Sequence, residues 1–103
     1  MLAHDTKTVG IVADLTVRVP RSAPGDVFEG TRRVVEAVDG VLGVEAVWVT
    51  SITPNLNDLF VEARVAATLA LEGPVGDERE AARSVLLDGF GVDAASVVGV
   101  DRS

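Results

Sequence analysis

The side chains that most often do chemistry are sparse in this chain and poorly spaced to cooperate. Its one histidine, His4, stands in a polar N-terminal stretch. A catalytic dyad or a zinc site needs further ligands beside an imidazole, so His4 reads as an ordinary terminal residue. The absence of cysteine excludes a thiol nucleophile, a thiolate metal site and a disulfide. Asp77, Glu78 and Glu80 form an oxygen-rich cluster, but a calcium loop alternates its carboxylates about a turn glycine over a longer run. Asp77 followed by Glu80 is instead an Asp-led capping box. Asn55, Asn57 and Asp58 follow Pro54, a composition that hairpin connections select for backbone reasons. Gly40-Val41-Leu42-Gly43 lacks the spacing and the Lys-Ser/Thr ending of nucleotide loops. Ser22, Ser51, Ser84, Ser96 and Ser103 have no histidine partner for a hydrolase triad. No catalytic residue, metal ligand or cofactor is assigned.

Two features keep a binding role open. Arg18, Arg21, Arg32 and Arg33 are half of the eight arginines. A turn from strand to helix can bring Arg21 to a helix N-terminus, and Arg18, Arg21 and Arg33 then make a small-anion or nucleotide site. The competing reading is a solvated face on which Glu29 and Glu36 pair with Arg32 and Arg33. The sole tryptophan, Trp48, can stack on an aromatic ligand or anchor a subunit contact. Strict alternation groups it with Val44, Ala46 and Ile52, the more apolar side of its strand, which favours core filling.

These residues hang on elements with clear patterns. From Ile11 to Val19 every second residue is apolar, a half-buried strand that ends at Pro20-Arg21-Ser22-Ala23-Pro24-Gly25. Val27, Thr31, Val34 and Val38 recur at helical spacing, with Asp26 and Glu29 at the positive end of the dipole and Gly40 and Gly43 as stops. Gly30 weakens that helix, which suggests a close helix–sheet approach. Val44 to Ile52 and Leu59 to Leu71 read as an antiparallel hairpin. After Gly73-Pro74-Val75-Gly76 a second helix carries Ala81, Ala82, Val85 and Leu86 and stops at Gly89, with Phe90 and Val92 docking on the core. Ala95 to Val100 is the final strand. The order β-α-β-β-α-β is the ferredoxin-like, α+β arrangement: a four-stranded antiparallel sheet with two helices on one face. Alternation puts Val12, Val47, Val49, Phe60 and Ala66 on the other, open face.

Composition bounds the rest. The chain has 103 residues, one domain at roughly 100 to 200 residues each; residues 1–8 form a flexible N-terminal segment ahead of it. Hydrophobic residues make up 48%, enough to offset ordering entropy. They are mostly Val and Ala, so the core is thin. The net charge of -7 disfavours a phosphate backbone as partner. No signal peptide and no apolar run of membrane-span length is visible, so a cytoplasmic protein with no membrane or nucleic-acid partner is expected. A single lysine among the basic residues, with abundant Ala, Val, Gly and Asp, suggests a GC-rich bacterial or archaeal genome.

The stretch Val34-Val35-Glu36-Ala37-Val38-Asp39-Gly40-Val41-Leu42-Gly43-Val44-Glu45-Ala46-Val47-Trp48-Val49, with the long strand and the Glu80-Ala81-Ala82 helix after it, resembles small ferredoxin-like regulatory domains. The C-terminal cytosolic domain of cation diffusion facilitators is one example. The resemblance spans about residues 30–100 and implies dimerisation, not catalysis. The chain lacks that family's metal-binding histidines and the cysteine pair of heavy-metal-associated domains, so the resemblance does not extend to metal regulation. Dodecins also place a strand Trp after a helix to stack flavin, but lack a second helix and final strand.

The expected function is a non-catalytic, homodimeric or larger binding, regulatory or scaffolding module, with Val47, Val49 and Phe60 as interface candidates. Its partners are a second copy, another protein or a small ligand. The alternatives are a cofactor-free enzyme of the dimeric ferredoxin-like type acting on a small hydrophobic substrate, marked by a buried carboxylate of raised pKa near Trp48, and the anion or nucleotide sensor.

Overall fold

Clean alternation in the first strand and the long third one is realised as a pair of fifteen-residue strands at the middle of a four-stranded antiparallel sheet. The computed structural model describes residues 6–72 and 76–102. Its elements are β1 (Thr6–Pro20), α1 (Val27–Glu36), β2 (Val41–Pro54), β3 (Asp58–Glu72), α2 (Glu78–Leu87) and β4 (Val92–Arg102). The strand order β2-β3-β1-β4 fits a ferredoxin-like arrangement. His4 and the Gly73-Pro74-Val75 break lie outside the described residues. β1 begins earlier than its pattern suggests, with Thr6, Lys7 and Thr8 paired to Glu72, Leu71 and Ala70. No helix among the described residues is long and apolar enough to cross a membrane.

Alternate residues of the two inner strands are buried, from Val9 to Val19 in β1 and from Val61 to Leu71 in β3. Val35 and Val38 from the α1 segment and Ala82 and Leu86 from α2 join them in one core cluster. Both helices start on an aspartate whose carboxylate accepts from the backbone N–H three residues on: Asp26 from Glu29 at 2.9 Å and Asp77 from Glu80 at 3.1 Å. Each fills an otherwise orphaned donor. Gly30 lies against β1: a Cβ there would stand 2.6 Å from Val19 Cγ1, which confirms the close approach.

β2 departs from the simple pattern. Its pairing with β3 slips at three places, leaving Leu42, Glu45 and Thr50 as extra residues between successive partners. Each bulge reverses the parity of the residues after it. Val44 pairs with buried Ala67, yet Ala46 and Trp48 pair with Ala66 and Arg64, while Val47 and Val49 pair with buried Val65 and Ala63. Trp48 is therefore 53% exposed on the second sheet face, not core filler, and Val47 and Val49 pack on the core, not on that face. Gly43 likewise lies inside the strand, and does not close the helix. Phe90, expected to dock on the core, is 93% exposed; only Val92 is buried.

Candidate functional site

One transverse row crosses all four strands on the second face. Trp48 of β2 registers with Arg64 of β3, Arg64 with Asp14 of β1, and Asp14 with Ser96 of β4. The next row holds Ser51, Glu62, Thr16 and Ala94. Together with Thr50 these rows, Ser51 apart, line a shallow depression of about 520 Å³. Arg64 grips Asp14 with both arms of its fork, Nε to Oδ1 at 2.8 Å and Nη2 to Oδ2 at 3.0 Å. That bidentate pair, made mainly by hydrogen bonding, holds the Asp14 carboxyl below the usual carboxylate range and raises Arg64 further. Asp14 thus stays ionised and is a weak proton acceptor at neutral pH.

Further along the face lie Phe60, registered with Arg18, and Val12, registered with Ala66. All three apolar residues are half-buried. The placement of Val12, Phe60 and Ala66 agrees with their alternation. The row itself escapes the sequence, because cross-strand partners depend on register.

The three arginines expected to form an anion site are held separately. Arg21 binds the hairpin turn, its backbone N–H donating to Asn57 O at 3.1 Å and Nη1 to Asn55 O at 2.9 Å. Arg18 Nε meets Asp93 Oδ1 at 3.0 Å. Arg33 donates to Pro24 O at 2.8 Å and lies 3.4 Å from Glu29. Arg18 and Arg33 do share a second concavity of about 580 Å³, between α1 and the turn before β4, which Arg21 does not line. Among the described residues, no group of three or more His, Cys, Asp or Glu is placed to hold a metal.

Three further arginines act on the sheet's outer strands. Arg32 of α1 donates to Val44 O on β2, while Arg79 and Arg83 of α2 donate to Val97 O and Ala95 O on β4. Edge carbonyls are among the groups that recruit another strand, and these three are occupied.

Fold and site together define a small α+β domain with a shallow, mixed polar and aromatic sheet face. Compared with family models, curated proteins and solved structures, the chain matches none.

Proposed function

We propose that this protein is a non-catalytic binding module that works as a homodimer, with the second sheet face as its contact surface and Trp48 as the anchor. In this reading both helices cover the opposite face. Supporting this, Val35 and Leu86 share one core cluster with the strands, and Gly40, just after α1, lies 3.0 Å from Val85 Cγ1 of α2 measured from a Cβ position. The observation that carries the proposal is the sole tryptophan standing half-exposed on outer strand β2, on a face that also carries Val12 and Phe60. Covering another ~100 Å² of indole is worth about 2.5 kcal/mol at roughly 25 cal/mol per Å². The arginines on Val44 O, Ala95 O and Val97 O favour the face over those stretches of edge as the contact. A cytoplasmic setting fits the acidic, cysteine-free composition.

Asp14 weighs against the enzymatic alternative, because this carboxylate in Trp48's row, across Arg64 from it, has a lowered pKa, opposite to what a general base there needs. The test is sedimentation velocity at micromolar concentration. The native chain is expected to be dimeric, with Trp48→Ser weakening the dimer about 30-fold, the scale of an aromatic hot spot. A monomeric native chain overturns the proposal.

A further inference from the structure

The outer edge of β2 is open to strand pairing between two defined stops. β2 has β3 on one side only. Arg32 covers the Val44 carbonyl at one end; at the other, Pro54 has no backbone donor and Arg21 holds the Asn55 carbonyl. Among the described residues, no side chain donates to a carbonyl in the stretch 46–53. Edges are normally blunted by lysine, inward-pointing charge or proline, and this stretch has none of them. Val47, Val49, Thr50, Ile52 and Thr53 are β-branched and Trp48 is aromatic, the side chains that favour a strand. No charged residue stands between Glu45 and Asp58, the longest such run in the chain.

The bulge at Thr50 decides which register a second copy can take. Residues directly opposite in an antiparallel pair point to the same face of the sheet. Ala46, Trp48, Ser51 and Thr53 pair with Ala66, Arg64, Glu62 and Phe60 of the second face, whereas Val47, Val49 and Ile52 pair with buried Val65, Ala63 and Val61. A two-fold axis between Val49 and Thr50 therefore matches like with like. It sets Val47 of one copy opposite Ile52 of the other, Trp48 opposite Ser51 and Ala46 opposite Thr53. Without the bulge the same register would oppose residues of different faces. Ile52, 45% exposed in the single chain, then gains an apolar neighbour, and the small Ser51 leaves room for the indole of Trp48.

We propose that the stretch 46–53 of β2 pairs antiparallel with the same stretch of a second copy, joining two sheets edge to edge. Charge argues for a second copy as the occupant: each chain carries -7, and this run lets two copies approach with no like charges directly opposed. The contact is distinct from the sheet-face dimer, and one two-fold contact of each kind links the chains into an assembly of four or more.

The experiment mixes ¹³C-labelled and unlabelled native protein at about 0.5 mM and records isotope-filtered NOEs, with sedimentation velocity on the same sample. Within one chain Val47 and Ile52 lie roughly 16 Å apart along the strand, out of NOE reach. An intermolecular NOE between their methyl groups is expected, in a species larger than the dimer. Ile52→Glu, at an exposed position, is expected to weaken the edge contact at least about tenfold and return the protein to a dimer. Ile52→Val is expected to keep the NOE. A dimer without the NOE overturns the edge contact and leaves the face dimer standing. A dimer that shows the NOE and becomes monomeric in Ile52→Glu supports the edge contact and overturns the face dimer. A monomeric native chain without the NOE overturns both.

Discussion

At the residue scale the Asp14–Arg64 pair gives the second face its polar character. A bidentate guanidinium–carboxylate contact fixes both side chains and presents a planar ion pair next to an indole. Its pH signature has a definite sign. Asp14 has a lower pKa in the folded chain than in the unfolded one. The unfolded chain therefore takes up the proton first as pH falls, and the pair's contribution is present above the unfolded pKa. It is lost as pH drops through the folded value, beneath the usual carboxylate range. Carboxyl-detected NMR titration is expected to find Asp14 titrating below the usual carboxylate range, and moving up in Arg64→Gln. An Asp14 midpoint at or above the ordinary value contradicts this geometry. Both charges lie at polar positions of cleanly alternating strands, Asp14 in Ile11–Val19 and Arg64 in Leu59–Leu71. The sequence thus shows their shared face, but their pairing needs the β1–β3 register, which no local signal carries.

At the element scale, regularity decides what is legible. β1 and β3 alternate without interruption, and both turn the expected residues to the core. β2 does not, because Leu42, Glu45 and Thr50 are inserted into its ladder. Gly43, a glycine within a strand, is the local sign of that irregularity. The parity reversal at Glu45 is what exchanges Trp48 with Val47 and Val49, so alternation alone puts the most informative aromatic on the wrong side. Thr50 then restores the phase with its hydroxyl bound to Glu62 O at 3.0 Å. Gly30 is the opposite case, a weak point of α1 whose structural reason is visible in the sequence. Helix propensity alone makes Gly30→Ala favourable by up to about 1 kcal/mol. The added methyl would lie 2.6 Å from Val19 Cγ1, a buried branched side chain with little room to yield. Overpacking costs of about 1 to 3 kcal/mol outweigh the propensity gain. Urea denaturation is expected to show a net loss of about 1 kcal/mol or more; a gain would mean that α1 can lift off β1 without cost.

At the scale of the whole molecule, the sheet is longer than its helices. Strands of fourteen or fifteen residues extend about 45 to 50 Å, in line with a long axis of 49 Å. The ten-residue helices reach only about 15 Å. Much of the sheet therefore has no helix of this chain to meet, and Ile52 and Leu56 at the hairpin end stay exposed. In the proposed dimer a second copy would supply the missing cover without adding to the chain, against the opposition of charge. Each protomer carries -7, and the contact face itself bears Glu45, Glu62 and Asp101 beside the neutralised Asp14–Arg64 pair. Long-range repulsion between two such copies falls as the Debye length shrinks from about 8 Å at 0.15 M salt to about 3 Å at 1 M. Apolar contact through Trp48, Val12 and Phe60 is not screened in this way. Sedimentation equilibrium is thus expected to show the dimer tightening as salt rises, and tightening again as pH approaches the isoelectric point near 4.5. Weakening by salt would mean that ion pairs between copies, using Arg18 or Arg64, hold the contact, and Trp48 would lose its place as the anchor.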